Sequence, residues 1–124
     1  MTAIAALFAA AAIAPSGVWS GATPAAPSVS LSLKSGKVVS ASAWTNSYTC
    51  ELGGAVGPAQ VSVKPGTRVS KGGAIHFESG TKTRRLRARL KLSRGRITGH
   101  IRILGNMSGP CSSPAVPVTL SRQR

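Results

Sequence analysis

Acidic residues are almost missing from this chain. Among 124 residues there are 2 Asp+Glu, namely Glu51 and Glu78, against 16 Lys+Arg, giving a formal net charge of +14. Paired-carboxylate catalysis and oxygen-ligand metal sites therefore have little to work with. Aromatic residues are also scarce, at 4%, which argues against a base-stacking surface of the kind that grips single-stranded nucleic acid. The longest apolar run, Ala3 to Ala14, has 12 residues, short of the roughly 20 that a bilayer-spanning helix needs. What is abundant points elsewhere. With 14 Gly, 8 Pro and 42% hydrophobic residues, the composition disfavours both a helical bundle and a disordered chain. At this length one domain is expected.

The chain's amino end carries no charge before Lys34. An apolar run of this length, followed by the helix-breaking Pro15-Ser16-Gly17, matches the core of a secretory signal peptide. The small-x-small triplet Ser20-Gly21-Ala22 supplies a cleavage signal, and a cut after Ala14 fits worse because Pro15 would follow it. This reading assigns residues 1–22 to a signal peptide, 23–27 to a linker and 28–124 to the folded domain. It places the protein outside the cytoplasm, secreted or associated with the cell envelope, with no transmembrane segment in the mature chain and a monomeric state. Cys50 and Cys111 fit the same compartment. Two cysteines in a small exported chain are expected to form one disulfide, whereas a zinc site would want close Cys or His pairs, and His76 and His100 stand alone.

From Ser28 onward the hydrophobic period is two. Val29, Leu31 and Leu33 alternate with serines; Ser35-Gly36 is a turn signal; Val38 to Thr45 returns. For Ala41, Ala43 and Thr45 to share the apolar side, one extra residue has to be absorbed near Val39-Ser40, which predicts a bulge. Val56 to Val63 contains Pro58 and is expected to lie at an edge or to begin late. Ala74 to Phe77 is a short strand, and Ala115 to Leu120 is the last.

The strongest pattern runs from Arg84 to Ile103. Leu86, Ala88, Leu90 and Leu92 point one way, and Arg85, Arg87, Arg89 and Lys91 the other; Ile97, Gly99, Ile101 and Ile103 then alternate with Arg96, Thr98, His100 and Arg102. A two-residue loop at Arg94-Gly95 pairs Leu92 with Ile97, Ala88 with Ile101, Arg89 with His100 and Arg87 with Arg102. A slip of one residue would invert every side chain. The fold class is therefore all-β: an antiparallel β-sandwich or small open barrel of six to seven short strands.

The order Gly36-Lys37-Val38, Cys50, Pro65-Gly66, Gly72-Gly73 with Phe77, a basic hairpin ending in Gly95, then Cys111 before a final strand resembles small exported two-cysteine β-domains of high-GC bacteria. The resemblance spans residues 28–122. It implies a fold and a compartment, and no activity.

Arg85, Arg87, Arg89, Lys91 and Arg102 fall on one sheet face without interspersed acids. Such a face is a groove for a polyanion, either a cell-envelope polymer or a nucleic-acid backbone bound without sequence specificity. It can equally be a solvated face that keeps the protein soluble and discourages edge pairing. Trp44, on the outward side of its strand, offers a sugar-stacking platform together with Tyr48, or else caps the core or covers an edge. A second class of function is a protein-binding module, adhesin-like or an enzyme inhibitor, using loops near Tyr48, Cys50 and Cys111. Catalysis is the minority reading. His76 and Glu78 share a strand face, but no nucleophile can be assigned to them by spacing, and no phosphate-cradling loop or cofactor motif occurs. The sequence thus predicts a protein without catalytic residues, metal or cofactor.

Overall fold

The computed structural model describes residues 15–107 and 109–123. These residues form strands joined by turns, with no helix among them, and so no helix long and apolar enough to cross a membrane. The first five strands are β1 (Gly17–Gly21), β2 (Ser28–Lys34), β3 (Lys37–Cys50), β4 (Gly54–Val63) and β5 (Thr67–Arg68). The remainder are β6 (Ala74–Gly80), β7 (Arg85–Ser93), β8 (Arg96–Asn106), β9 (Pro110–Ser112) and β10 (Val116–Arg122). All pair antiparallel in one sheet.

The neighbour order closes on itself. β1 pairs β2, β2 pairs β3, β3 pairs the short β9, β9 pairs β8, β8 pairs β10, and β10 returns to β1. β4 and β5 hang from β3, while β7 and then β6 hang from β8. Ring closure removes most exposed strand edges. Among the described residues, the edges that remain belong to β4, which contains Pro58, to the two-residue β5 and to β6.

Alternation builds the core. Val29, Leu31, Ala41, Ala43, Val61 and Val63 from β2–β4 join Ile75, Leu86, Leu90, Ile97, Ile101, Val118 and Leu120 in one buried cluster. Sequence register and structure agree in the hairpin: Leu92 pairs Ile97, Ala88 pairs Ile101, Arg89 pairs His100 and Arg87 pairs Arg102. The turn explains why the register holds. Arg94 (φ 53°) and Gly95 (φ 77°) both sit in the left-handed region, the geometry whose twist matches the flanking strands. Ser35 and Gly36 do the same between β2 and β3. The bulge also falls where the alternation demands it, since Ser32 pairs Ser40 and Leu33 pairs Val38, leaving Val39 as the extra residue.

Cys50 and Cys111 form the disulfide. They lie directly opposite each other across β3 and β9, where the order of paired strands passes from the β2–β4 side of the ring to the β6–β8 side. A crosslink spanning 61 positions restricts the unfolded chain by about 4 kcal/mol in the entropy treatment.

The β-structure begins upstream of the expected domain start. The division into 1–22, 23–27 and 28–124 puts β1 inside the signal peptide, yet β1 is inserted between β2 and β10, and Trp19 is only 3% exposed. The indole N–H of Trp19 donates to the Gly95 carbonyl at 3.1 Å. Ala26, assigned to the linker, is fully buried. The reason for the difference is long-range: the alternation of β1 is short, and only pairing with the two ends of the chain's β-structure reveals it. The signal-peptide core itself, Ala3 to Ala14, lies outside the described residues.

Candidate polyanion-binding face

β7 supplies the site because its even-numbered residues must be buried. Leu86, Ala88 and Leu90 are each at most 2% exposed, so Arg85, Arg87, Arg89 and Lys91 are left on the outer side. On β8 the same logic buries Ile101 and Ile103 and turns Arg102 outward, opposite Arg87. The sequence-derived cation row is therefore one continuous surface across two strands.

β6 adds what the sequence reading missed. It pairs with β7 so that Glu78 stands opposite Arg87 and His76 opposite Arg89. The Glu78 carboxylate is forked: Oε2 accepts from Arg85 Nε at 2.7 Å and Oε1 from Arg87 Nε at 2.8 Å. The hydrogen bond from Arg85, then that from Arg87, holds this carboxyl below its ordinary value of 4.5. The expectation of a face free of acids is thus corrected. An acid placed on the neighbouring strand becomes a counter-charge, and the signal was the shared parity of His76 and Glu78 beside a strand of arginines.

The remaining cations differ in their surroundings. Arg102 Nε donates to the Ser113 carbonyl at 3.0 Å. Ser113 is itself only 1% exposed, and its hydroxyl both accepts from the Ile103 N–H at 2.9 Å and donates to the Pro114 carbonyl at 3.0 Å. The Arg102 side chain is therefore tethered to a rigid carbonyl. Arg89 and Lys91 are exposed, and among the described residues neither is paired with a carboxylate. Across the strands, Arg89 is flanked by His76 and His100. Chemically the row offers guanidinium and ammonium donors to phosphate, sulfate or carboxylate oxygens.

Two further sequence candidates separate from each other. Trp44 is 43% exposed, between Ser28 of β2 and Gln60 of β4; it does not cap the core. Tyr48 cannot act as a stacking platform, because it is 1% exposed within the core cluster. A bulge between Thr45 and Tyr48 turns it inward, and the Arg84 guanidinium lies 4.7 Å from its ring centroid. Arg84 in turn donates to the Gln60 carbonyl at 3.0 Å, joining the segment before β7 to the free edge strand β4.

His76 and Glu78 do share the outer face of β6, but both Glu78 oxygens are engaged by arginine. Among the described residues, no three His, Cys, Asp or Glu side chains gather as metal ligands would. No family model, curated protein or solved structure matches this chain.

Proposed function

We propose that this is an exported, non-catalytic basic β-domain that binds anionic polymers of the cell envelope, or nucleic-acid backbone, without sequence specificity. The observation that carries the reading is the outward row of Arg85, Arg87, Arg89, Lys91 and Arg102, compensated by Glu78 alone among the described carboxylates. Within it, Arg89, Lys91 and Arg102 are the primary contacts, because Arg85 and Arg87 must exchange Glu78 for a ligand. The ring is read as a flattened barrel, close to a sandwich, and the suggested kinship with exported two-cysteine β-domains agrees with its single disulfide. Export is proposed with the cut upstream of Pro15. A cut after Ala22 would remove β1, the buried Trp19 and the Ser16 carbonyl that accepts from Arg122 at 2.7 Å.

A salt series on the exported protein tests this reading, with the intact mass recorded first to locate the cut. Binding to a DNA duplex should weaken with a log–log slope of about −2.7 for three phosphate contacts, steepening to about −4.5 if all five cations engage, and binding to a teichoic-type polymer should weaken with salt in the same direction. Combined Arg89→Ser and Lys91→Ser should flatten the slope by about 1.8. A slope near zero, or an unchanged slope in the double variant, refutes the site; a mature chain starting at Thr23 refutes the proposed cut.

A second reading has its own observation. At the disulfide end, Leu52 is 78% and Met107 51% exposed, on the turns that follow β3 and β8. Exposed apolar residues on adjacent loops suit a protein partner, whose binding would depend little on salt.

A further inference from the structure

A second concentration of positive charge lies away from the arginine row, at the end of the ring opposite the disulfide. We infer that this end is a binding site for a compact phosphate monoester, such as a phosphorylated sugar, independent of the polymer-binding face.

The site is a depression of about 850 Å³ into which four separate segments project cations: Arg68 from β5, Lys71 from the following turn, Arg94 from the β7–β8 turn and Arg122 from the end of β10. Convergence from four segments is a property of the fold and cannot arise from one charged run. Among the described residues lining the depression none is acidic. Glu78 is committed to the outer face of β6, and Glu51 sits beside Cys50 at the other end of β3. Opposing the cations is therefore left to a ligand.

Two of the groups are held in place before any ligand arrives. The Arg122 guanidinium lies 5.5 Å from the Trp19 ring centroid and donates through Nη2 to the Ser16 carbonyl at 2.7 Å. A guanidinium has five donors, so this anchoring leaves others available. Trp19 is pinned through its indole N–H to the Gly95 carbonyl, which ties the floor of the depression to the turn carrying Arg94. A pre-positioned Arg122 spares a ligand the entropic cost of ordering that side chain.

Size and lining select the ligand class. The volume is within the range that holds an organic molecule and exceeds what a bare phosphate fills. Val69 and Leu92, both half-buried on the wall, give apolar contact for a sugar-sized body. A dianionic monoester supplies three strong acceptor oxygens, enough to engage several cations at once. None of these cations belongs to the arginine row, so the two sites can be disabled separately.

The test uses the disulfide-bonded protein with Trp44→Phe, which leaves Trp19 as the reporter among the described residues. Titration with glucose 6-phosphate, followed by the Trp19 indole N–H resonance, should give a saturable shift. Inorganic phosphate should bind at least threefold more weakly, and glucose should leave the resonance unmoved. Arg68→Ser with Arg94→Ser should weaken glucose 6-phosphate binding at least tenfold, while Arg89→Ser with Lys91→Ser should leave it within twofold. Absence of a saturable shift, an equal response to glucose, or unchanged affinity in the Arg68/Arg94 variant overturns the assignment. Should that variant fail to fold, Lys71→Ser, on an exposed turn, is read instead, with at least a threefold loss expected and no loss refuting the site.

Discussion

The two outer faces of the sheet obey the same folding rule and carry opposite chemistry. On the β2–β3–β4 side, cross-strand rows place Ser28, Trp44 and Gln60 side by side, then Ser30, Ser42 and Ser62, then Ser32 with Ser40. Short hydroxyls can satisfy one another, as Ser30 and Ser42 do at 3.1 Å. On the β6–β7–β8 side the equivalent rows hold Glu78, Arg87 and Arg102, then His76, Arg89 and His100. Like charges set directly opposite are destabilising, and here the strain is relieved locally by Glu78 and by the Ser113 carbonyl. Packing dictates only the inward residues. The neutral β2–β3–β4 face shows that outward positions of this sheet are filled without cations, so the charge of the β6–β7–β8 face is a choice of sequence and not a demand of packing.

The comparison can be broken at three levels. The largest effect is expected at the shared frame. Cys50→Ser with Cys111→Ser should lower stability by about 4 kcal/mol, measured by denaturant unfolding, and should loosen both faces together. Loss of one face alone would mean that they do not share a cooperative core.

Glu78→Gln sharpens the contrast between the faces. Freeing Arg85 and Arg87 should tighten polymer binding and steepen the salt slope by up to about 1.8. It should also remove an acid-sensitive contribution. The carboxyl is held below 4.5 in the folded protein, so its stabilising effect is complete above that value and fades as pH falls through the lower folded one. Acid titration of unfolding should show this loss in the parent and not in the variant. The opposite order would place the counter-charge elsewhere.

The smallest effect is expected on the neutral face. Trp44→Ala should change stability by less than about 0.5 kcal/mol, as for other surface positions, and leave the salt slope unaltered. A loss above about 1 kcal/mol would show that this indole is structural after all.

Much of the framework was legible in local pattern. The β7–β8 hairpin could be registered because a two-residue turn and an unbroken alternation leave one solution. The Val39 bulge followed from parity alone, and Pro58 marked an edge. The candidate site was half legible: the five cations follow from alternation on one hairpin, whereas Glu78 joins them only through the β6–β7 pairing. β9 escapes a pattern reading, since three residues show no period, and β1 resembles leader sequence, since Trp19 finds its partners near residues 31 and 122. Tyr48 was misplaced because a bulge after Thr45 reversed its side.

By itself, then, the sequence determined the period, the turns and the face on which each residue of a hairpin must lie, because these depend on neighbours a few positions away. Only the tertiary structure decided which distant strands became neighbours. That choice put a carboxylate between two arginines, closed the ring with β1 and gathered four cations from four segments around Trp19. Such meetings are settled by the packing of one common core, which no local stretch of chain encodes.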